Sequence, residues 1–237
     1  MTESPVTLIT GGSSGIGAAA ARQLLDRGHR VAVTARGQDR LDRFAKEIDR
    51  PDELLTLPGD ASDYDDVRAA VEATIETFGR LDAAVANAGY ATHDDIATGD
   101  PAGWRDMILT NVLGPALLVR ASHPALKKTG GRIVLVGSVA GHVFTAGNIY
   151  GITKWAVTAL AENTRRQVAG DGDGVGVTLV SPGGTETNFF DPVGGPPDDR
   201  PRYLSADEVA ASIVWAITQP AAVDISTVIV RSLGQPV

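Results

Sequence analysis

Short, continuously apolar runs alternate with segments of helical period from one end of the chain to the other. Residues 6–10, 30–35, 54–58, 83–87, 132–137, 176–181 and 227–231 read as strands. Their unbroken apolar character is that of strands buried on both faces of a parallel sheet. Between them the apolar positions space as they do on helices. Leu41, Phe44, Ala45 and Ile48 fall at i, i+3, i+4 and i+7, and Val67, Val71, Ile75 and Phe78 make a second stripe. Ser62-x-x-Asp65 has the pattern of a helix N-terminal cap, and Ser205-x-x-Glu208 is a full capping box. Parallel strands need crossover connections, so the alternation predicts an α/β fold: one doubly wound parallel sheet of about seven strands flanked by helices. A chain of 237 residues suits a single domain of this kind, 1–237.

One segment breaks the rhythm. Residues 183–204 have no period and contain Gly194-Gly195-Pro196-Pro197 and Asp198-Asp199. A loop this long inside a compact domain is expected to be functional. Gly194-Gly195 supplies backbone freedom and Pro196-Pro197 stiffness, while Phe189, Phe190 and Tyr203 are apolar groups in need of something to cover. The segment is expected to form a substrate lid.

Composition narrows the function. A net charge of −8 argues against a broad phosphate-backbone footprint, so nucleic acid is not expected as a partner. The chain has no cysteine, which removes disulfides, thiolate catalysis and cysteine-ligated metals. His29, His93, His123 and His142 are scattered, with no pair at metal-ligand spacing, and no metal site is expected. No stretch approaches the roughly 18 apolar residues of a membrane span, and residues 1–10 lack the pattern of a signal peptide. The expectation is a cytoplasmic protein without a membrane partner.

The first strand runs into Thr10-Gly11-Gly12-Ser13-Ser14-Gly15-Ile16-Gly17, and a helix follows. Strand, glycine loop and helix in that order make a Rossmann-type dinucleotide site: the glycines let the backbone approach a pyrophosphate at the positive end of the helix. The spacing Gly11-x3-Gly15-x-Gly17 is not the G-x-G-x-x-G of long-chain dehydrogenases. It resembles the T-G-x-x-x-G-x-G loop of the short-chain dehydrogenases/reductases, and the resemblance continues along the chain. Asp60, with Ala61 beside it, is similar to that family's adenine-contacting segment. Asn87-Ala88-Gly89 is similar to its N-A-G motif. Asn111, Ser138, Tyr150 and Lys154 match its catalytic tetrad, and Pro182-Gly183 with Thr185 and Thr187 resembles its P-G-x-x-x-T segment beside the nicotinamide.

Which nicotinamide is bound is decided after the second strand. NAD-specific sites place an acidic residue there for the ribose 2′-hydroxyl. Here Ala35 stands in that position and Arg36 follows, with Ser14 and Arg40 as further candidates. A guanidinium binds a 2′-phosphate by charge-assisted bonds, so NADP(H) is expected ahead of NAD(H).

Tyr150-Gly151-Ile152-Thr153-Lys154 opens a predicted helix and puts Tyr150 and Lys154 on one face. Four tyrosines and four lysines in the whole chain seldom produce that spacing by chance. Reducing a carbonyl adds hydride to carbon and a proton to oxygen, and a phenol of ordinary pKa near 10 is a weak acid for the task. An adjacent ammonium is expected to lower that pKa, making Tyr150 the general acid in reduction and the base in oxidation. The resemblance adds that Lys154 binds the nicotinamide ribose. Ser138 is placed to hold and polarise the substrate oxygen. Asn111 resembles the tetrad member that disturbs a helix and holds a water feeding protons to the lysine. Twelve positions separate Ser138 from Tyr150 where the family usually has thirteen, so substrate contacts carried over from the family are open at that loop.

The leading reading is a reductase of a ketone or aldehyde substrate. A cofactor-sensing or regulatory Rossmann protein with weak catalysis, and a subunit serving only assembly, are the alternatives; neither accounts for Ser138, Tyr150 and Lys154 occurring together. The tail 228–235 and the segment Pro182–Thr187 resemble a subgroup that includes serine or 3-hydroxy acid dehydrogenases and a clavulanic-aldehyde reductase. The resemblance also implies a homotetramer or homodimer, paired through long helices at about 111–128 and 151–168, where Leu113, Leu117, Leu118, Trp155 and Leu160 are candidates to face a partner.

Overall fold

A computed structural model describes residues 4–92, 95–144, 147, 149–187, 189 and 203–235. Seven strands form one sheet: β1 (Val6–Thr10), β2 (Arg30–Ala35), β3 (Leu54–Pro58), β4 (Ala83–Ala86), β5 (Arg132–Val136), β6 (Gly176–Pro182) and, numbered after two short strands below, β9 (Thr227–Val230). Their spatial order is β3-β2-β1-β4-β5-β6-β9, and every neighbouring pair is parallel. The seven strands expected from the apolar runs are all present, within a residue at each end. Because all run the same way, their carboxyl ends share one edge, and the order reverses direction between β1 and β4. That reversal opens the crevice in which doubly wound sheets hold ligands.

Helices cover both faces. On one side α1 (Gly15–Leu25), α2 (Gln38–Ile48) and α7 (Ala206–Ile217) pack on Ile9, Val31, Val33, Val85, Val134 and Val180. On the other, α3 (Tyr64–Phe78), α5 (Gly114–Thr129) and α6 (Ile149–Gly170) pack on Leu8, Ala32, Ala84, Ile133, Leu135 and Leu179. Successive strand residues thus point to opposite faces and both are apolar, which is why the strands read as continuous runs. The two predicted stripes are the buried faces of α2 and α3. Among the described residues no helix is long and apolar enough to cross a membrane.

Several local expectations are corrected. The cap of α3 is Asp63, whose carboxylate accepts from the Asp65 and Asp66 backbone N–H groups; Ser62 is instead held by Asp60. The capping box at Ser205 and Glu208 forms as expected. Asn111 does not open a helix. It does disturb one, as the resemblance implied: it lies in a π-helical turn, Leu109–Leu113, that joins α4 (Pro101–Ile108) to α5. The second long helix runs from Ile149 to Gly170, beyond both ends expected for it. Residues 183–204 are not irregular throughout: β7 (Thr185–Glu186) pairs in parallel with β8 (Leu204–Ser205). Residue 188 and residues 190–202 of the expected lid, including Phe190 and Gly194 to Asp199, lie outside the described residues.

Candidate active site

Each sequence-selected residue follows the carboxyl end of a strand or sits on a helix above that edge. The glycine loop leaves β1. Gly11 has φ +65°, and a Cβ there would fall 2.9 Å from the Ala88 Cα; at Gly17 it would fall 2.5 Å from both the Asn87 Nδ2 and the Gly11 carbonyl oxygen. Side chains are excluded because β4 runs on directly against the loop. Asn87 Nδ2 donates to the carbonyls of Thr10 (3.1 Å) and Gly11 (3.0 Å), and the Thr10 hydroxyl accepts from the backbone N–H groups of Asn87 and Ala88. Ser14 is the N-cap of α1, yet its side chain caps nothing and the first turn holds no acid, with Ser13 and Ile16 on either side of the turn. Helix N-terminal amides left open beside glycines fit a dinucleotide pyrophosphate.

Arg36 and Arg40 are exposed after β2, and among the described residues neither enters an ion pair. The Arg36 charge reaches Asp60 after β3. Burial pushes the Asp60 carboxyl up, but two hydrogen bonds from Ser62, helped by Arg36, bring it below its ordinary value. Asp60 and Ala61 line a small cavity with Thr10 and Thr34. On the far side, Pro182 and Gly183 end β6, the Thr185 hydroxyl donates to the Gly183 carbonyl (3.0 Å), and Thr187 lies 3.3 Å from where a Cβ on Gly15 would sit. The glycine loop and the segment after β6 therefore meet across the crevice.

The four tetrad residues converge. Asn111, Ser138 and Lys154 are buried and Tyr150 is half-buried. The Ser138 hydroxyl lies beside the Tyr150 phenol and accepts from the Ala140 N–H (3.1 Å). Lys154 Nζ lies 5.7 Å from the Tyr150 ring centroid and donates to the Val136 carbonyl (3.0 Å). Asn111 Nδ2 donates to the Tyr90 carbonyl (2.8 Å) and Thr153 Oγ1 (3.1 Å), and its Oδ1 accepts from the Tyr90 N–H (3.1 Å). The π turn aims Asn111 inward; a Cβ on Gly89 would fall 3.0 Å from its Oδ1 and 3.9 Å from Lys154 Nζ. Phe189 packs its ring against Tyr150 at 5.7 Å and 65°.

The electrostatics correct one expectation. Burial pushes the Tyr150 phenol up to about 12, and the neighbouring Ser138 hydroxyl offsets only part of this. Burial also brings Lys154 down to about 8. Desolvation penalises both charged forms, and it outweighs the attraction expected between them. Tyr90 and Thr153 take part in the site without having been singled out. Their contacts join elements far apart in the chain, so no local spacing marks them.

Comparison with known proteins bears on the family and the fold. The family model for short chain dehydrogenases matches residues 5–195. An uncharacterized oxidoreductase of Staphylococcus epidermidis is 31% identical, covering 95% of this chain and 96% of its own. The human dehydrogenase/reductase SDR family member 11 is 29% identical over 97% of this chain and 95% of its own. The solved structure of an alcohol dehydrogenase from the archaeon Thermococcus sibiricus, complexed with 5-hydroxy-NADP, superposes with a TM-score of 0.89 at 30% identity, covering 99% of both chains. With its family model matched over four-fifths of its length and its strand order that of a doubly wound sheet, this chain belongs to the short-chain dehydrogenase family of oxidoreductases.

Proposed function

We propose that the protein is an NADP(H)-dependent reductase that interconverts a ketone or aldehyde and an alcohol by hydride transfer, with Tyr150 as general acid in reduction and base in oxidation. One observation carries the reading: Ser138 beside the Tyr150 phenol, with Lys154 under the tyrosine ring, at the sheet edge that also bears the glycine loop. The bound nicotinamide supplies the hydride. The residues that would hold it are Gly11 to Gly17 at the pyrophosphate, Asp60 and Ala61 at the adenine, and Asn87 to Gly89 with Tyr150 and Lys154 at the ribose. Pro182, Gly183, Thr185 and Thr187 would face the nicotinamide.

A phenol held above its ordinary pKa keeps its proton through neutral pH and so is available to a nascent alkoxide, but it is a weaker acid than an exposed tyrosine and depends on its neighbours to give the proton up. Ser138 holds the substrate oxygen against that phenol, and its hydroxyl stabilises the charge that grows there. Lys154, brought down to about 8, exchanges its proton near neutral pH and is the group placed to reprotonate Tyr150. Asn111 ties the Tyr90 backbone to Thr153 and so fixes the start of α6 beneath the site.

Preference for NADP(H) over NAD(H) is supported by Arg36, exposed and free of ion pairs among the described residues, beside the uncharged Ala35. The Thermococcus sibiricus relative complexed with 5-hydroxy-NADP points the same way. A panel of ketones and aldehydes assayed with NADPH and NADH tests both claims. Turnover with NADPH favoured is expected, and Arg36→Ala should raise KM for NADPH far more than for NADH. Equal efficiency with the two cofactors would reject the preference, and no turnover on any carbonyl would favour the cofactor-sensing alternative.

A further inference from the structure

The turn that carries Ser138 is fastened on more than one side. Ser138 leads into a single 3-10 turn, Val139–Gly141. A Cβ on Gly141 would lie 2.5 Å from the Lys154 carbonyl oxygen, so the turn rests directly on α6. Thr158 Oγ1 lies 3.1 Å from the Gly141 carbonyl and 3.1 Å from that of Lys154, and Trp155 Nε1 donates to the Val143 carbonyl (3.0 Å). These contacts join the turn to the helix of Tyr150 and Lys154.

A separate contact runs to the sheet. His142 Nε2 is hydrogen-bonded at 2.9 Å to Ser181 Oγ, in β6, next to Pro182. Ser181 is completely buried. A Cβ on Gly137 would fall 2.9 Å from the Ser181 hydroxyl, so β5 has room for that hydroxyl only because position 137 is glycine. A buried hydroxyl left unpaired is costly, and His142 is the partner it has among the described residues. Burial lowers the His142 pKa from the usual histidine value, which keeps the ring neutral near neutral pH. The chemistry proposed above uses neither residue.

We infer that His142 is a positioning residue: by bonding Ser181 it locks the Ser138 turn to the end of β6, and so sets the separation between the substrate oxygen and the nicotinamide. The inference rests on the reading of the site as a carbonyl reductase. Ser138 and Lys154 are already joined through α6; the His142–Ser181 bond adds the strand that leads into Gly183. Without it the turn and β6 have no side-chain tie of this kind among the described residues, and small displacements of reacting groups are expensive in rate. A misplacement on the order of 1 Å costs up to about 100-fold.

The experiment compares His142→Ala, His142→Asn, Ser181→Ala and the His142→Ala/Ser181→Ala double variant with the unmodified enzyme. NADPH affinity is measured by fluorescence titration, and kcat and the primary deuterium isotope effect with the best carbonyl of the panel. His142→Ala and Ser181→Ala should each lower kcat about tenfold or more. NADPH affinity should hold within about twofold and the isotope effect should rise. The double variant should be no worse than either single one, because both remove the same bond. His142→Asn, which keeps a hydrogen-bonding group, should recover part of the loss. Ser181→Ala keeps the test open if His142→Ala does not fold. A kcat fall of less than about threefold, additive losses, or weakening of NADPH binding equal to the loss in kcat would overturn the inference. The two failures are distinguishable. A turnover collapse in Tyr150→Phe beside a normal His142→Ala would sink only the His142 role, whereas an unmodified protein without turnover would sink the reductase reading itself.

Discussion

At the scale of single residues, the contest between burial and charge decides how Tyr150 is read. The spacing Tyr150-x-x-x-Lys154 suggests an ammonium stabilising a phenolate. In the folded chain the ammonium instead donates to the Val136 carbonyl, and both groups are desolvated. The proposed donor is therefore a phenol that gives up its proton late. Tyr150→Phe should fold and bind NADPH but lose between about 10²- and 10⁴-fold in kcat, the usual worth of general acid–base catalysis. Retention of more than about a tenth of the turnover would remove Tyr150 from the role. The pH dependence follows the sign of the shift. Burial favours the neutral phenol, so Tyr150 in the free protein should ionise near pH 12, after exposed tyrosines. The tyrosinate absorbance lost in Tyr150→Phe should thus lie at the alkaline end of the titration. Loss from the part near pH 10 would show that Lys154 governs the phenol after all.

At the scale of elements, the periodic stripes and caps were legible because they are local. The capping box at Ser205 needs only residues three apart, and both of its bonds form: Glu208 N–H to Ser205 Oγ (3.2 Å) and Ser205 N–H to Glu208 Oε2 (2.8 Å). Ser205→Ala should cost about 1 kcal/mol. In a chain of this size that lowers Tm by roughly 2–4 °C. A calorimetric scan with unchanged Tm would mean that packing of α7 against α1 alone decides the stability of this helix. The π turn at Leu109–Leu113 was foreshadowed only by the family resemblance, which made Asn111 a residue that disturbs a helix; the apolar pattern does not mark it. An extra residue in a helical turn leaves the apolar pattern nearly unchanged, and the turn is held by bonds from Asn111 to Tyr90 and Thr153, 21 and 42 residues away.

At the scale of the whole molecule, several of the outward apolar positions lie on α4, the π turn and α6. Ile108 (45% exposed) and Leu113 (40%) lie on α4 and the π turn, and Ile152 (58%) and Trp155 (36%) on α6. Phe144 stacks on Trp155 at 5.1 Å and extends that surface. Leu118, one of the candidates to meet a partner, is buried in its own core, and Leu117 and Leu160 pack against that core. Apolar groups this close together on helices favour a self-complementary contact. Light scattering at micromolar concentration should therefore give a dimer or tetramer mass, and Trp155→Glu should shift it toward the monomer. A 24.6 kDa particle for the unmodified protein would count against assembly through this surface.

The sequence by itself determined the alternation of strands and helices, the parallel sheet, the glycine loop and the order of Asn111, Ser138, Tyr150 and Lys154 along the chain. Each depends on the identity and spacing of neighbours: apolar runs buried on two faces, glycines where the backbone must approach another strand, and side chains one helical turn apart. The tertiary structure decided what those residues are worth. Only folding brings the Ser138 hydroxyl to the Tyr150 phenol, buries Lys154 until it sits near 8, turns Asn111 toward Tyr90, and sets His142 against Ser181. These effects depend on desolvation and on contacts between distant segments. Neither property belongs to a residue or its neighbours in the chain; both arise when β5, β6 and α6 close around the same edge of the sheet.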